Sequence, residues 1–214
     1  MKSILVIGLG SFGRHMANKF IENGHEIMAI DINESKADAA VDDIPHILIG
    51  DATDEKFMKG VGISDFDLAV IAISDNFQAT LEITVILKDL GCKYIVARAS
   101  SDTHKKLLLR NGADYVSYAE REVAERLAIS LGNDSIFDYI ELTDEVGLYE
   151  ISVPKKWVGK NVIELNIRNK HHINVLATKS NGEINLELGT THLFSATETI
   201  MVLGTAEAVA KIER

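Results

Sequence analysis

Apolar residues along this chain fall into short continuous runs separated by stretches of helical spacing, the pattern expected of a parallel sheet wrapped by helices. The first run, residues 3–7, is followed by Phe12, Met16, Ala17, Phe20 and Ile21 at helical spacing, with Gly24 as the stop. A second strand is expected at 27–30 and a short helix at 34–41. A third strand follows at 44–49, where Pro45 near the start does least harm to the ladder. The loop Gly50-Asp51-Ala52-Thr53 opens a helix through Gly60, and the apolar run 68–73 predicts a central strand covered on both faces. Ser74-Asp75 read as the cap of a helix to Leu90. Its Phe77, Leu81, Ile83, Val85, Ile86, Leu87 and Leu90 cover more than one stripe, so it calls for two neighbours, its own sheet and a second subunit. A fifth strand at 94–97 ends at Arg98, a helix spans 101–111, and Tyr115-Val116 form a short sixth strand.

By residue 117 that sheet is complete, yet 120–131 carries another apolar stripe, Val123, Ala124, Leu127, Ala128 and Leu131, which must pack elsewhere. After the polar stretch Gly132-Asn133-Asp134-Ser135 the pattern changes to strands, at 148–153, 173–179, 184–188 and 199–203. One helical patch lies at 162–165, a closing helix at 207–212, and Asn181-Gly182 signals a two-residue hairpin. The expectation is an α/β fold of two domains, a Rossmann-like doubly wound parallel sheet over 1–132 and a small α+β module of βαββ type over 133–214.

Composition narrows the function. A formal charge of −10 and a pI near 5.2 give no overall electrostatic reason to approach nucleic acid or an anionic membrane. The pairs Lys105-Lys106 and Lys155-Lys156 stand isolated in the sequence and read as solvated faces. No apolar run has the length of a membrane span, and the first strand is too short for a signal peptide, so a soluble protein is expected. A single cysteine, Cys92, suits a reducing compartment and reads as buried filler.

The chemistry centres on Gly8-Leu9-Gly10-Ser11-Phe12-Gly13, which lies between the first strand and its helix. Gly8 allows the tight turn, Gly10 lets backbone approach a phosphate, and Gly13 lets helix and strand pack closely. The helix start then offers unpaired N–H groups to an anion. Asp31, at the end of the second strand, stands where a carboxylate accepts from both ribose hydroxyls and repels a 2′-phosphate. A dehydrogenase on this scaffold also needs an acid or base beside its nicotinamide. The candidates are His171, His172 and His192; His171 and His172 sit side by side, so their side chains diverge and neither has metal-pair spacing. Nucleotide binding without chemistry points to a sensor; an NAD-dependent oxidoreductase with an unrecognised catalytic residue is the alternative.

These motifs, together with Ala29-Ile30-Asp31-Ile32-Asn33, Gly50-Asp51-Ala52-Thr53 and Tyr118-Ala119-Glu120, resemble the regulator-of-potassium-conductance (KTN, TrkA-type) domains, especially the Ktr and TrkA gating subunits. The C-terminal half is similar to a TrkA-C module. The resemblance implies a cytoplasmic subunit at the inner face of the membrane that binds ATP, ADP or NAD(H). It further implies a homo-oligomeric, commonly octameric, ring that gates an integral-membrane potassium transporter of KtrB or TrkH type. No nucleic-acid binding and no direct membrane insertion are implied.

Residue by residue, the resemblance assigns Gly8, Gly10, Ser11, Phe12 and Gly13 to the phosphate turn and Asp31, Ile32 and Asn33 to the ribose. It assigns Asp51, Ala52 and Thr53 to the adenine border, and adds Ala72 and Ile73 to the nucleotide site. Arg98 would face phosphates, and Glu120 would place a divalent cation, Mg or Ca, between two nucleotides of a dimer. Helix 120–131 would cross between the lobes of that dimer. The chain departs from the Ktr pattern at Ser11, where Arg is common; Arg14, on the same helical turn, is the alternative cation. Cyclic di-AMP would meet Ile163, Ile167, Arg168 and Asn174.

Overall fold

A computed structural model describes residues 1–143, 145–189 and 191–212. They form two compact units, Met1–Glu120 and Arg121–Arg214. In the first, β1 (Ser3–Ile7), β2 (Glu26–Asp31), β3 (His46–Ile49), β4 (Leu68–Ile71), β5 (Ile95–Arg98) and β6 (Tyr115–Ser117) make a parallel sheet in the order β3-β2-β1-β4-β5-β6. Its helices are α1 (Ser11–Glu22), α2 (Glu34–Asp38), α3 (Glu55–Val61), α4 (Phe77–Asp89) and α5 (Asp102–Arg110).

The continuous apolar runs are explained by burial on both faces. Leu5 and Ile7 of β1 pack with Met58 of α3, Ile83 and Leu87 of α4 and Leu108 of α5. Ile4 and Val6 point the other way, to Ala17 of α1, Ala40 and Ile44. Each such side chain removed from water contributes roughly 1.5–3 kcal/mol. Strand order reverses between β1 and β4, so the crevice at the carboxyl ends of these strands is where an open α/β sheet takes ligands.

Several boundaries differ from the sequence reading, β3 starting at His46 instead of 44 and the strand expected at 184–188 ending at Asn185 among them, and three bear on the site. β4 stops at Ile71, two residues early, which leaves Ala72 and Ile73 outside the strand, although Ala72 still donates its N–H to the carbonyl of Ile7 at 2.7 Å. Asn76, rather than Ser74 or Asp75, caps α4, its Oδ1 accepting from the N–H of Ala79 at 3.0 Å. α2 ends at Asp38 instead of Val41.

The second unit is an antiparallel sheet in the order β10-β9-β11-β8-β7, formed by β7 (Ile136–Glu141), β8 (Val146–Ser152), β9 (Asn174–Ser180), β10 (Glu183–Asn185) and β11 (Thr199–Thr205). Two short helices, α7 (Val162–Leu165) and α8 (Ile167–His171), lie between β8 and β9, and α9 (Ala206–Ile212) closes the unit. Its core gathers Trp157, Phe194, Tyr149, Ile151, Ile200, Val202, Val209 and Ile212. Strand β7 was not expected, because a register shift between Ile136 and Asp138 breaks the alternation that would announce it. The hairpin was expected: Asn181 and Gly182, at φ 51° and 85°, make the two-residue turn between β9 and β10.

Helix α6 (Ala119–Leu131) has no buried residue, and Val123, Leu127 and Leu131 are exposed. The division between units falls just inside it, after Glu120, whereas the composition changes beyond its end. Among the described residues, no helix is long and apolar enough to cross a membrane.

Candidate nucleotide site

The turn after β1 is built by contacts that exclude side chains. Gly8, at φ 99°, donates its N–H to the carbonyl of Ile30 at 2.8 Å, which ties the turn to β2. A Cβ on Gly13 would lie 1.8 Å from the Gly8 carbonyl oxygen, so the first turn of α1 can sit on the strand only with glycine there. At Gly10 the reverse holds. A Cβ would meet nothing, so the fold does not require glycine there, while a ligand approaching the backbone would. Gly10 is also the N-cap of α1 without a side-chain cap, and the first turn carries no acidic residue, which leaves its N–H groups to an anion.

Asp31 closes the turn from the side. It is only 6% exposed; Oδ2 accepts from the N–H of Leu9 at 2.6 Å and Oδ1 from that of Asn33 at 2.8 Å. The carboxylate thus holds turn and strand end together, and each oxygen keeps a lone pair for a further donor. Asn33 caps α2, and Asp51 accepts from the N–H and hydroxyl of Thr53 at 2.9 and 2.7 Å, fixing the loop after β3.

These elements enclose a cleft of about 380 Å³. It is lined by Gly8, Gly10, Asp31, Ile32, Asp51, Ala52, Thr53, Ala72 and Ile73 from the sequence reading. The lining also includes Ile7, Ile30, Lys36, Gly50, Ser74, Asp75, Asn76, Ala79 and Ile83, which that reading left out. Lys36 could have been found from its spacing, since Asn33 caps the turn that carries it. Ala79 and Ile83 return to the cleft because Asn76 starts α4 at its edge.

Gly13 and Ser11 belong to the helix start rather than the lining, and Asn33 stands behind it. A second cluster is separate from the cleft lining. The Arg98 guanidinium lies 4.9 Å over the ring of Phe12 and is ion-paired through Nη2 to Oε1 of Glu120. The Arg98 side chain is 17% exposed and that of Glu120 56%, while Arg98 Nε is buried without a hydrogen-bond partner among the described residues. Arg14 turns to the carbonyl of Ala39, at 3.3 Å. Among the described residues no three His, Cys, Asp or Glu side chains group to hold a metal. Glu120 offers one hard oxygen donor group, so a cation there would take its remaining oxygens from phosphate and water.

In the second unit Ile163 and Arg168 of the expected cyclic di-AMP set are exposed, as is Asn174, but Ile167 is 4% exposed and part of the core. Only one of the two isoleucines is therefore presented to a base. Cys92 is buried, which pushes its thiol pKa up, and donates to the carbonyl of Tyr94.

Sheet order, glycine turn and buried strand-end carboxylate define a Rossmann-type nucleotide-binding protein. The chain belongs to the TrkA-N domain family, whose model matches residues 4–119. It is 35% identical to Ktr system potassium uptake protein C of Bacillus subtilis (strain 168), over 100% of this chain and 96% of that one. It is 32% identical to Ktr system potassium uptake protein A of the same organism, over 99% and 96%. Among solved structures the GsuK channel matches at a TM-score of 0.73 with 18% identity, covering 99% of this chain and 39% of that one. The GsuK channel bound to NAD matches at 0.69 and 18%, with the same coverage. The chain thus spans about two-fifths of that channel's length, and the likeness to it is one of fold.

Proposed function

We propose that this chain binds an adenine nucleotide, ATP, ADP or NAD(H), in the cleft at the β1–β4 switch point and regulates a membrane potassium transporter of KtrB or TrkH type. The observation that carries the reading is Asp31, buried at the mouth of the glycine turn and lining the cleft. The relatives' names supply the process, potassium uptake. A role in transport regulation rather than catalysis is supported by the relatives, both Ktr system potassium uptake proteins. In this reading residues 1–132 form the nucleotide domain with its crossover helix and 133–214 the TrkA-C domain. The exposed stripe of α6 is covered by a second copy, within an octameric ring at the cytoplasmic face of the membrane. Cyclic di-AMP would enter at the second unit through Ile163, Arg168 and Asn174.

The terminal phosphates fall to the Arg98 cluster. The Arg98–Glu120 pair has a largely exposed partner and is worth about 0–1 kcal/mol. A phosphate accepting charge-assisted hydrogen bonds, each about 1.5–3 kcal/mol, outcompetes that carboxylate. Arg98 then turns to the phosphate without leaving Phe12, and Glu120 is released to take part in holding Mg or Ca. Moving a gate from 1:99 to 99:1 needs about 5.5 kcal/mol, so over eight sites a difference of roughly 0.7 kcal/mol per nucleotide suffices.

Native mass spectrometry of the purified protein tests the reading, since it reports retained nucleotide and ring size together. A ring carrying adenine nucleotide is expected. A protein that retains none, and shows no affinity for ATP, ADP or NAD by calorimetry, would remove the proposal.

A further inference from the structure

In the sequence Lys155-Lys156 stands alone, but the fold gives it company. A 3₁₀ turn, Lys155–Trp157, lies against the end of α8, with the rings of Trp157 and His171 at 5.4 Å. Lys156 adjoins Trp157 in that turn and Lys170 adjoins His171 in α8, so the ring contact brings the two lysines into one neighbourhood. Lys160 follows three residues after the turn, and Arg168 lies three before His171 in α8. Residues 155–172 thus carry five exposed cations against one carboxylate, Glu164, in a chain of formal charge −10.

Elsewhere several exposed cations pair with carboxylates, Lys19 with Glu22, Lys59 with Glu55, Lys93 with Asp67, Arg126 with Asp138 and Lys211 with Glu207, and those that do not, such as Lys36, Lys56 and Lys88, are spread along the chain. Lys155, Lys156, Lys160, Arg168 and Lys170 pair with no carboxylate among the described residues. Like charges held together without a counter-charge repel, and a solvated face gives no reason to gather them. Two apolar side chains, Val158 and Ile163, stand exposed in the same stretch.

We propose that this face docks on an anionic lipid surface, the lysines meeting headgroup phosphates while Val158 and Ile163 enter the headgroup layer. The residue types select that occupant. Four of the five cations are Lys, which attract as point charges, whereas a phosphopeptide or a single bound phosphate is better gripped by Arg forks. Basic clusters of this size beside apolar side chains suit a diffuse negative surface. Screening limits the attraction to about 10 Å at 0.1 M salt, so the acidic remainder of the chain opposes binding only where it too approaches the bilayer. The protein would therefore bind in one orientation. This inference does not depend on the adenine nucleotide reading of the first unit, and it gives Ile163 and Arg168 to the lipid surface in place of cyclic di-AMP.

The test is co-sedimentation of the purified full-length protein with vesicles of phosphatidylglycerol and phosphatidylcholine, against phosphatidylcholine alone. Binding is expected only with the anionic lipid, and it should vanish as salt rises from about 0.1 to about 1 M. K156E combined with K170E should weaken it at least about tenfold. The milder K156Q with K170Q should weaken it less, and K105E with K106E in the other unit should leave it unchanged. Circular dichroism and thermal melting serve as the folding control in every variant. No anionic preference, or full binding by K156E/K170E, overturns the proposal. So does a polyglutamate peptide that binds this face when the anionic vesicles do not.

Discussion

The two ends of the nucleotide site are built differently. At the adenosine end Asp31 is fixed by two backbone N–H donors and buried, and the neighbouring loop is fixed by Asp51 and Thr53, so the geometry exists before any ligand arrives. Where the proposed function puts the terminal phosphates, beside the cleft lining, the same unit has one side-chain ion pair, Arg98 with a largely exposed Glu120, over the ring of Phe12. Backbone-held carboxylates do not exchange partners at low cost, whereas an exposed ion pair does. On the function proposed above, a site so arranged would recognise adenosine with its rigid half and distinguish the groups beyond the ribose with its exchangeable half.

Gly13→Ala should have the largest effect, because the added methyl must displace the Gly8 carbonyl on which the first turn of α1 sits. Overpacking of this kind costs about 1–3 kcal/mol, and nucleotide affinity should fall for every ligand alike. Thermal melting beside calorimetry checks both; an unaltered melting temperature would contradict the packing argument. Asp31→Ala comes next. It removes the ribose acceptor and leaves the N–H groups of Leu9 and Asn33 without their partner, so adenosine, ADP and ATP should all bind at least about tenfold more weakly. If adenosine alone kept its affinity, the rigid half would have been misplaced.

Phe12→Ala probes the other half. Loss of the cation–π contact, about 0.5–1 kcal/mol, should weaken ATP about two- to fivefold and leave adenosine unchanged. Equal losses for both ligands would erase the contrast between the ends. The smallest effect is a control in the second unit. Burial holds the His171 pKa below its ordinary 6.5, so the neutral ring is favoured in the folded state. That contribution is present above pH 6.5 and is lost as pH falls below it and the ring is protonated. His171→Gln should flatten the fall in melting temperature between about pH 7 and 5 without changing nucleotide affinity. A slope unchanged by the substitution would show that other groups set it.

The rigid end was the legible one. Gly8, Gly10, Gly13 and Asp31 are separated by fixed spacings that physics imposes on a strand, a turn and a helix, and such spacings survive in a linear chain. Ser74, Asp75, Asn76 and Ala79 were missed as lining residues because they reach the cleft only through where β4 stops and which residue caps α4. The pairing of Arg98 with Glu120 joins residues far apart in sequence, and no local pattern announces it. Strand β7 escaped for a related reason, a bulge at Phe137 that spoils a period of two. The gathering of Lys156 with Lys170 and His172 likewise exists only after β8, α7 and α8 have folded back on one another.

The most direct test of the exchangeable end is calorimetric titration of ADP and ATP, with and without magnesium, into the parent protein and Glu120→Gln. If Arg98 passes from Glu120 to a terminal phosphate, the variant should bind ATP at least as tightly as the parent in the absence of cation, because its arginine is no longer paired. Its ADP affinity should be preserved, and the enhancement of ATP binding by magnesium seen in the parent should disappear. Weaker ATP binding in the variant without cation, or a magnesium effect that survives the substitution, would contradict the exchange.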